Sequence, residues 1–212
     1  MTGPTTLKTR FLLAAGGLLA ASPALAHHPM GGATPATFAE GLLSGLGHPI
    51  VGVDHLAALV AVGLIAARFG RAFTLPGAWL AAMVAGVGLH LAAVDLPLGE
   101  SLVALSVVAL GIVAAIRPNL PLGVAAALFA AAGLVHGHAL AEMIIGAETT
   151  PLAAYLAGLV AVQGAIMAAI ALAAQRLWAG VTTAAPAQLR LAGVAVAAIG
   201  LAVLTVGLPD LI

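Results

Sequence analysis

Six apolar stretches, each about long enough to cross a bilayer, dominate the chain; they lie near residues 50–68, 73–94, 99–116, 121–143, 151–175 and 189–208. The breaks between them carry turn and charge signals: Arg68-Phe69-Gly70-Arg71, Asp95-Leu96-Pro97, Arg117-Pro118-Asn119, Glu148-Thr149-Thr150-Pro151 and the Thr- and Pro-containing stretch 180–188. Ahead of the first stretch, residues 36–47 are apolar but too short to span. They predict a half-helix on the outer face leading into the first span, with Gly41 and Gly45 permitting close packing. Glycine and alanine recur in every span, which suits one compact bundle. No tandem repeat is visible.

Residues 1–26 read as a cleaved secretory signal. Lys8 and Arg10 form the positive start, Phe11 to Ala20 the apolar run, and Ala24-Leu25-Ala26 the small residues that a signal peptidase requires. An uncleaved first helix is the alternative, and its apolar run is short for a span. Cleavage leaves residues 27–212 as a single transmembrane domain beginning His27-His28-Pro29-Met30 outside the cytoplasm. The fold class predicted is all-α: a polytopic membrane bundle of about six helices with both termini outside.

Composition sharpens this. Of 212 residues, 63% are hydrophobic and 7% charged, where a soluble domain carries roughly a quarter charged residues. Mean hydropathy is +1.19. A soluble enzyme is thereby excluded, as is a nucleic-acid binder, which needs a basic footprint. With no cysteine there are no thiolate metal sites or disulfides. The basic residues beyond the signal, Arg68, Arg71, Arg117, Arg176 and Arg190, all fall in or beside the loops after the first, third and fifth spans. That is a positive-inside distribution for a chain that starts outside. Glu40, Asp95, Glu100, Glu148 and Asp210 fall on the other side. Two acids are left over, Asp54 and Glu142, both inside predicted spans.

An ionisable side chain at membrane depth costs about 2.5–3.5 kcal/mol on insertion scales and generally has a partner or a task. Here such residues gather in the outer half of the bilayer: His48, Asp54 and His55 early in the first span, His90 late in the second, and His136, His138 and Glu142 late in the fourth. On a regular helix His48 and His55 share a face, with Pro49 tolerated at the helix start. Asp54 lies about 100° around from His55, placed to ligate beside it or to orient an imidazole. His138 and Glu142 are an i, i+4 pair on one face. His136 points about 160° away from His138, so one of the two misses a common site unless Gly137 distorts the helix. Imidazoles with two carboxylates and no thiolate suit a divalent transition metal in passage. A membrane histidine also serves simply as a helix–helix hydrogen bonder; the clustering at one depth favours metal. His27 and His28 with a free α-amine would bind metal weakly, or form a plain tail. Ser101, Ser106 and Gln163 either line an inward path or simply hydrogen-bond across helices, while Met83, Met143 and Met167 read as packing.

The run His48-Pro49-Ile50-Val51-Gly52-Val53-Asp54-His55 resembles the HPxxGxDH signature of the HupE/UreJ family, and His136-Gly137-His138 in the fourth span resembles its second motif. The resemblance covers essentially the whole mature chain. It departs at Leu140-Ala141-Glu142, where members often have a further His-Gly before the acid. What the resemblance implies is a multi-pass permease of the bacterial inner membrane, taking up nickel or cobalt for hydrogenase or urease maturation. His48, Asp54 and His55 would then handle the metal. No prosthetic group is implied. The Ni²⁺ or Co²⁺ is cargo, with Zn²⁺ left open by nitrogen and oxygen ligation. The partners are that ion and the lipid bilayer, not nucleic acid; association with further copies of the chain is left open. The chain is expected not to be an enzyme. The alternatives are an intramembrane zinc hydrolase with Asp54 as base, or a metal-binding membrane protein that does not transport.

Overall fold

A computed structural model of the chain describes residues 33–116, 120–179 and 187–207, and every regular element among them is helical. The signal-like residues 1–26, His27, His28, Arg117, residues 180–186 and Asp210 lie outside the described residues. In chain order the helices are α1 (Phe38–Val51), α2 (Val53–Arg68), α3 (Thr74–Leu91), α4 (Gly99–Ile116), α5 (Leu122–Leu140), α6 (Thr149–Leu177) and α7 (Ala187–Gly207); a 3₁₀ turn, Ala141–Ile144, extends α5. Helices α3 to α7 are each long and apolar enough to cross a membrane. Together α1 and α2 make a further, broken span, bent by 77°. The expected all-helical bundle of about six spans is therefore what the chain forms.

The first span differs from its expectation. It does not open at residue 50 with Pro49 at a helix start. Instead α1 begins at a capping box, in which the Thr37 hydroxyl accepts from Glu40 N–H (3.2 Å) while the Glu40 carboxylate accepts from the N–H of Ala36 (2.7 Å) and Thr37 (3.1 Å). It then runs on through His48 and Pro49 to Val51. Pro49 removes a backbone donor in the last turn, and Gly52, extended at φ −71° and ψ 105°, ends α1 and starts α2. The break therefore falls inside the HPxxGxDH run, and two helix ends meet where a continuous helix was expected.

Close backbone approaches hold the bundle. Gly41 and Gly45 on α1 lie against the backbone of Pro151 and Tyr155 on α6, as the glycine spacing anticipated. Gly133 and Gly137 on α5 meet Trp79 and Met83 on α3, so those two helices run parallel. Helix α2 sits centrally, with Ala58, Ala61, Val62, Ile65 and Ala66 fully buried. Leu105, Ile112, Leu172 and Leu201 point outward and are exposed, as on a surface solvated by lipid. Met83, Met143 and Met167 are buried packing residues, as expected.

Candidate metal centre

The bend at Gly52 brings the end of α1 onto the start of α2. His48 in the last turn of α1 and His55 in the first turn of α2 stand edge to face, with ring centroids 5.7 Å apart. Their shared locality comes from the break rather than from one helix face. Asp54 occupies the first turn of α2, where a carboxylate is favoured by the exposed N–H groups; its Oδ1 accepts from the His55 N–H at 2.8 Å. Gly52 is required by contact as well as by the turn. A Cβ there would sit 2.8 Å from His55 Cδ2 and 3.3 Å from Asp54 Oδ1.

Helix α5 delivers His136 to the same place. Its Nδ1 is 2.7 Å from His55 Nδ1, and its Nε2 is 2.9 Å from Ser106 Oγ on α4. Asp54 lies within coulombic reach of it. All four residues His48, Asp54, His55 and His136 are buried. Tyr155, at the start of α6, closes the cluster, with its hydroxyl 2.9 Å from His48 Nδ1. Trp79 on α3 packs its indole 4.9 Å from the His136 ring and donates to Gln163 Oε1 at 2.7 Å.

The acceptors fix where the protons sit. The Tyr155 hydroxyl donates to the Leu140 carbonyl at 2.6 Å, so its oxygen accepts from His48 Nδ1–H. Ser106 donates to the Val103 carbonyl at 2.7 Å, so its oxygen accepts from His136 Nε2–H. With the rings neutral, the His136 lone pair then lies on Nδ1 and accepts from His55 Nδ1–H. Tyr155 thus faces Nδ1 of His48, and His136 faces Nδ1 of His55. This is the pattern in which a second set of residues orients ligating imidazoles. His136 belongs to that second set in this arrangement.

The structure brings only some of the expected site residues together. The seven residues His48, Asp54, His55, His90, His136, His138 and Glu142 do not form one site. His136 and His138 point to opposite sides of α5, as helical geometry required, and Gly137 does not distort the helix to unite them: His138 pairs with His90 instead, at 3.2 Å between Nδ1 atoms. Glu142 falls within the span Leu122–Ile144 as expected, but it is not set beside His138 at the site. The 3₁₀ turn changes the register after Leu140, and Glu142 is exposed while His138 is buried. Among the described residues, no three His, Asp or Glu side chains are arranged as a ready-made metal site.

Tyr155 and Trp79 were not singled out from the sequence. The signal was available: Tyr155 is the chain's one tyrosine, and a phenol placed inside an apolar helix needs a partner. Tyr155→Phe removes the acceptor of His48 Nδ1–H and strands the Leu140 carbonyl. A loss of about 1–3 kcal/mol in stability is expected, read by thermal unfolding in detergent, together with loss of the fixed His48 tautomer in ¹⁵N imidazole spectra.

The family described as HupE / UreJ protein matches this chain over residues 13–203. Protein HupE of Rhizobium leguminosarum bv. viciae is 37% identical over 120 residues, which are 56% of this chain and 60% of that protein's length. The aligned part thus spans under two thirds of that relative. No solved structure matches the chain.

Proposed function

The chain belongs to the HupE / UreJ family, and from that premise we propose that it is an inner-membrane permease, not an enzyme, carrying nickel or cobalt into the cytoplasm for hydrogenase or urease maturation. The observation that carries the reading is the buried group of His48, Asp54 and His55 at the break between α1 and α2, with His136 and Tyr155 orienting the imidazoles. Charge and nitrogen donors inside a bilayer-sized bundle cost free energy, and so many gathered at one place point to a task beyond pairing with one another. A divalent ion exchanges part of its water shell for the His48 and His55 imidazoles and the Asp54 carboxylate. Conduction needs ligands that bind and then release, so a site that is not fully assembled beforehand suits passage better than storage.

The Arg distribution supports an orientation with this cluster and both termini toward the outside. The hydrolase alternative needs three imidazoles converging on one ion. His136 instead faces His55 through a shared proton, and the Ser106 hydroxyl donates to the Val103 carbonyl. Metal accumulation under metal limitation tests the proposal. Cells with the chain should gain nickel or cobalt over cells without it, whereas equal contents of nickel, cobalt and zinc in both would remove it.

A further inference from the structure

A second histidine pair stands apart from the cluster above. His90, in the last turn of α3, and His138, near the end of α5, have ring centroids 4.3 Å apart and Nδ1 atoms 3.2 Å apart. His138 Nε2 lies 2.9 Å from the Val94 carbonyl, an acceptor only, so it is Nε2 that carries the proton. With the rings neutral, the lone pair of His138 therefore lies on Nδ1, facing His90.

The Val94 carbonyl reaches His138 through a disfavoured turn. After α3 the chain passes through Ala93 at φ 58°, a left-handed conformation that favours glycine. The N–H groups of Ala93 and Val94 return to the carbonyls of His90 and Leu89 at 2.9 and 3.0 Å, closing the helix end in a Schellman arrangement. Backbone strain of this kind tends to persist where it positions a working group.

We propose that His90 and His138 form a second divalent-cation station, at the rim of the histidine-bearing end of the bundle. Two imidazole nitrogens bound about 2.0–2.1 Å from one ion lie roughly 2.9–3.4 Å apart at right-angle or tetrahedral geometry. The 3.2 Å between His90 and His138 falls within that range, and the 2.7 Å between His55 and His136 does not. The ion takes the place of the one proton the pair shares, which passes through solvent from Nδ1 of the half-buried His90 to its Nε2, so that both rings stay neutral after a small rotation. His138 then shows the arrangement usual for a ligating histidine, one nitrogen on the metal and the other N–H on a backbone carbonyl. His90 is only half-buried, so the ion arrives with its remaining waters, and Asp95, exposed in the same turn, supplies negative charge. Only Gly137 separates His138 from His136, so the rim station and the buried cluster adjoin across α5.

This inference rests on the cation reading of the chain for its choice of probe. The test is calorimetric titration of the purified full chain with nickel chloride. Two nickel ions per chain are expected, falling to one in His90→Ala and to one in His55→Ala. His90→Gln, whose amide still hydrogen-bonds to His138 and keeps the α3–α5 seam, should also bind one. Two ions retained in both His90 variants, or a single ion in the parent chain that disappears in His55→Ala, overturns the station and leaves a helix–helix hydrogen bond. Two ions bound in a chain that conducts no nickel into vesicles would support the station while removing the permease reading.

Discussion

Replacing His55 by alanine is expected to reduce nickel or cobalt accumulation to that of cells lacking the chain, with membrane abundance unchanged. The imidazole is the hub of the cluster: its ring meets His48 edge to face, its Nδ1–H donates to His136, and its backbone N–H binds the Asp54 carboxylate. Removing it deletes an imidazole of the proposed metal site and leaves His136 Nδ1 without its hydrogen-bond partner. The stability change should be modest beside the functional one, because alanine continues α2 without strain. Immunodetection in isolated membranes alongside metal analysis separates the two. Accumulation equal to the parent chain at equal abundance would detach His55 from transport.

Gly137→Val should do wider damage. A Cβ at Gly137 overlaps the backbone carbonyl of Met83, with no flexible side chain in the way to yield. Helices α3 and α5 must then separate or slide, at a cost of about 1–3 kcal/mol or more. Both histidine groups depend on that seam, because His136 and His138 flank Gly137 and meet partners on α2, α3 and α4. The variant is expected to unfold at lower temperature in detergent, to lose metal accumulation, and to lose both nickel-binding events. A variant with parental unfolding temperature and uptake would show that the seam has slack which the packing does not display.

Much of the architecture was legible because bilayer physics writes it in composition. Span lengths, Arg placement and charge breaks located α3 to α7 within a few residues, and Gly41 and Gly45 marked α1 for close packing without naming α6 as its partner. The two-sided character of α5 was also readable, since residues two apart on a helix cannot face one way. The helix break at Gly52 was not. Pro49 and Gly52 each tolerate helix-start or loop geometry, and only tertiary contacts decided that α1 continues past the proline. The exposure of Glu142 was hidden for a related reason: it lies within the expected span, but a 3₁₀ turn of four residues leaves no sequence period to detect. The orienting residues Tyr155, Ser106 and Trp79 come from three other helices. Their part in the site depends on how α3, α4 and α6 pack, which a single sequence does not state.

The most direct measurement is influx of radiolabelled nickel or cobalt into proteoliposomes holding the purified chain, driven by an inward metal gradient. Saturable influx above that of protein-free vesicles, abolished by His55→Ala, is the expected result. Vesicles with and without the chain filling at the same rate, while the chain still binds metal, would contradict transport and leave a metal-binding membrane protein.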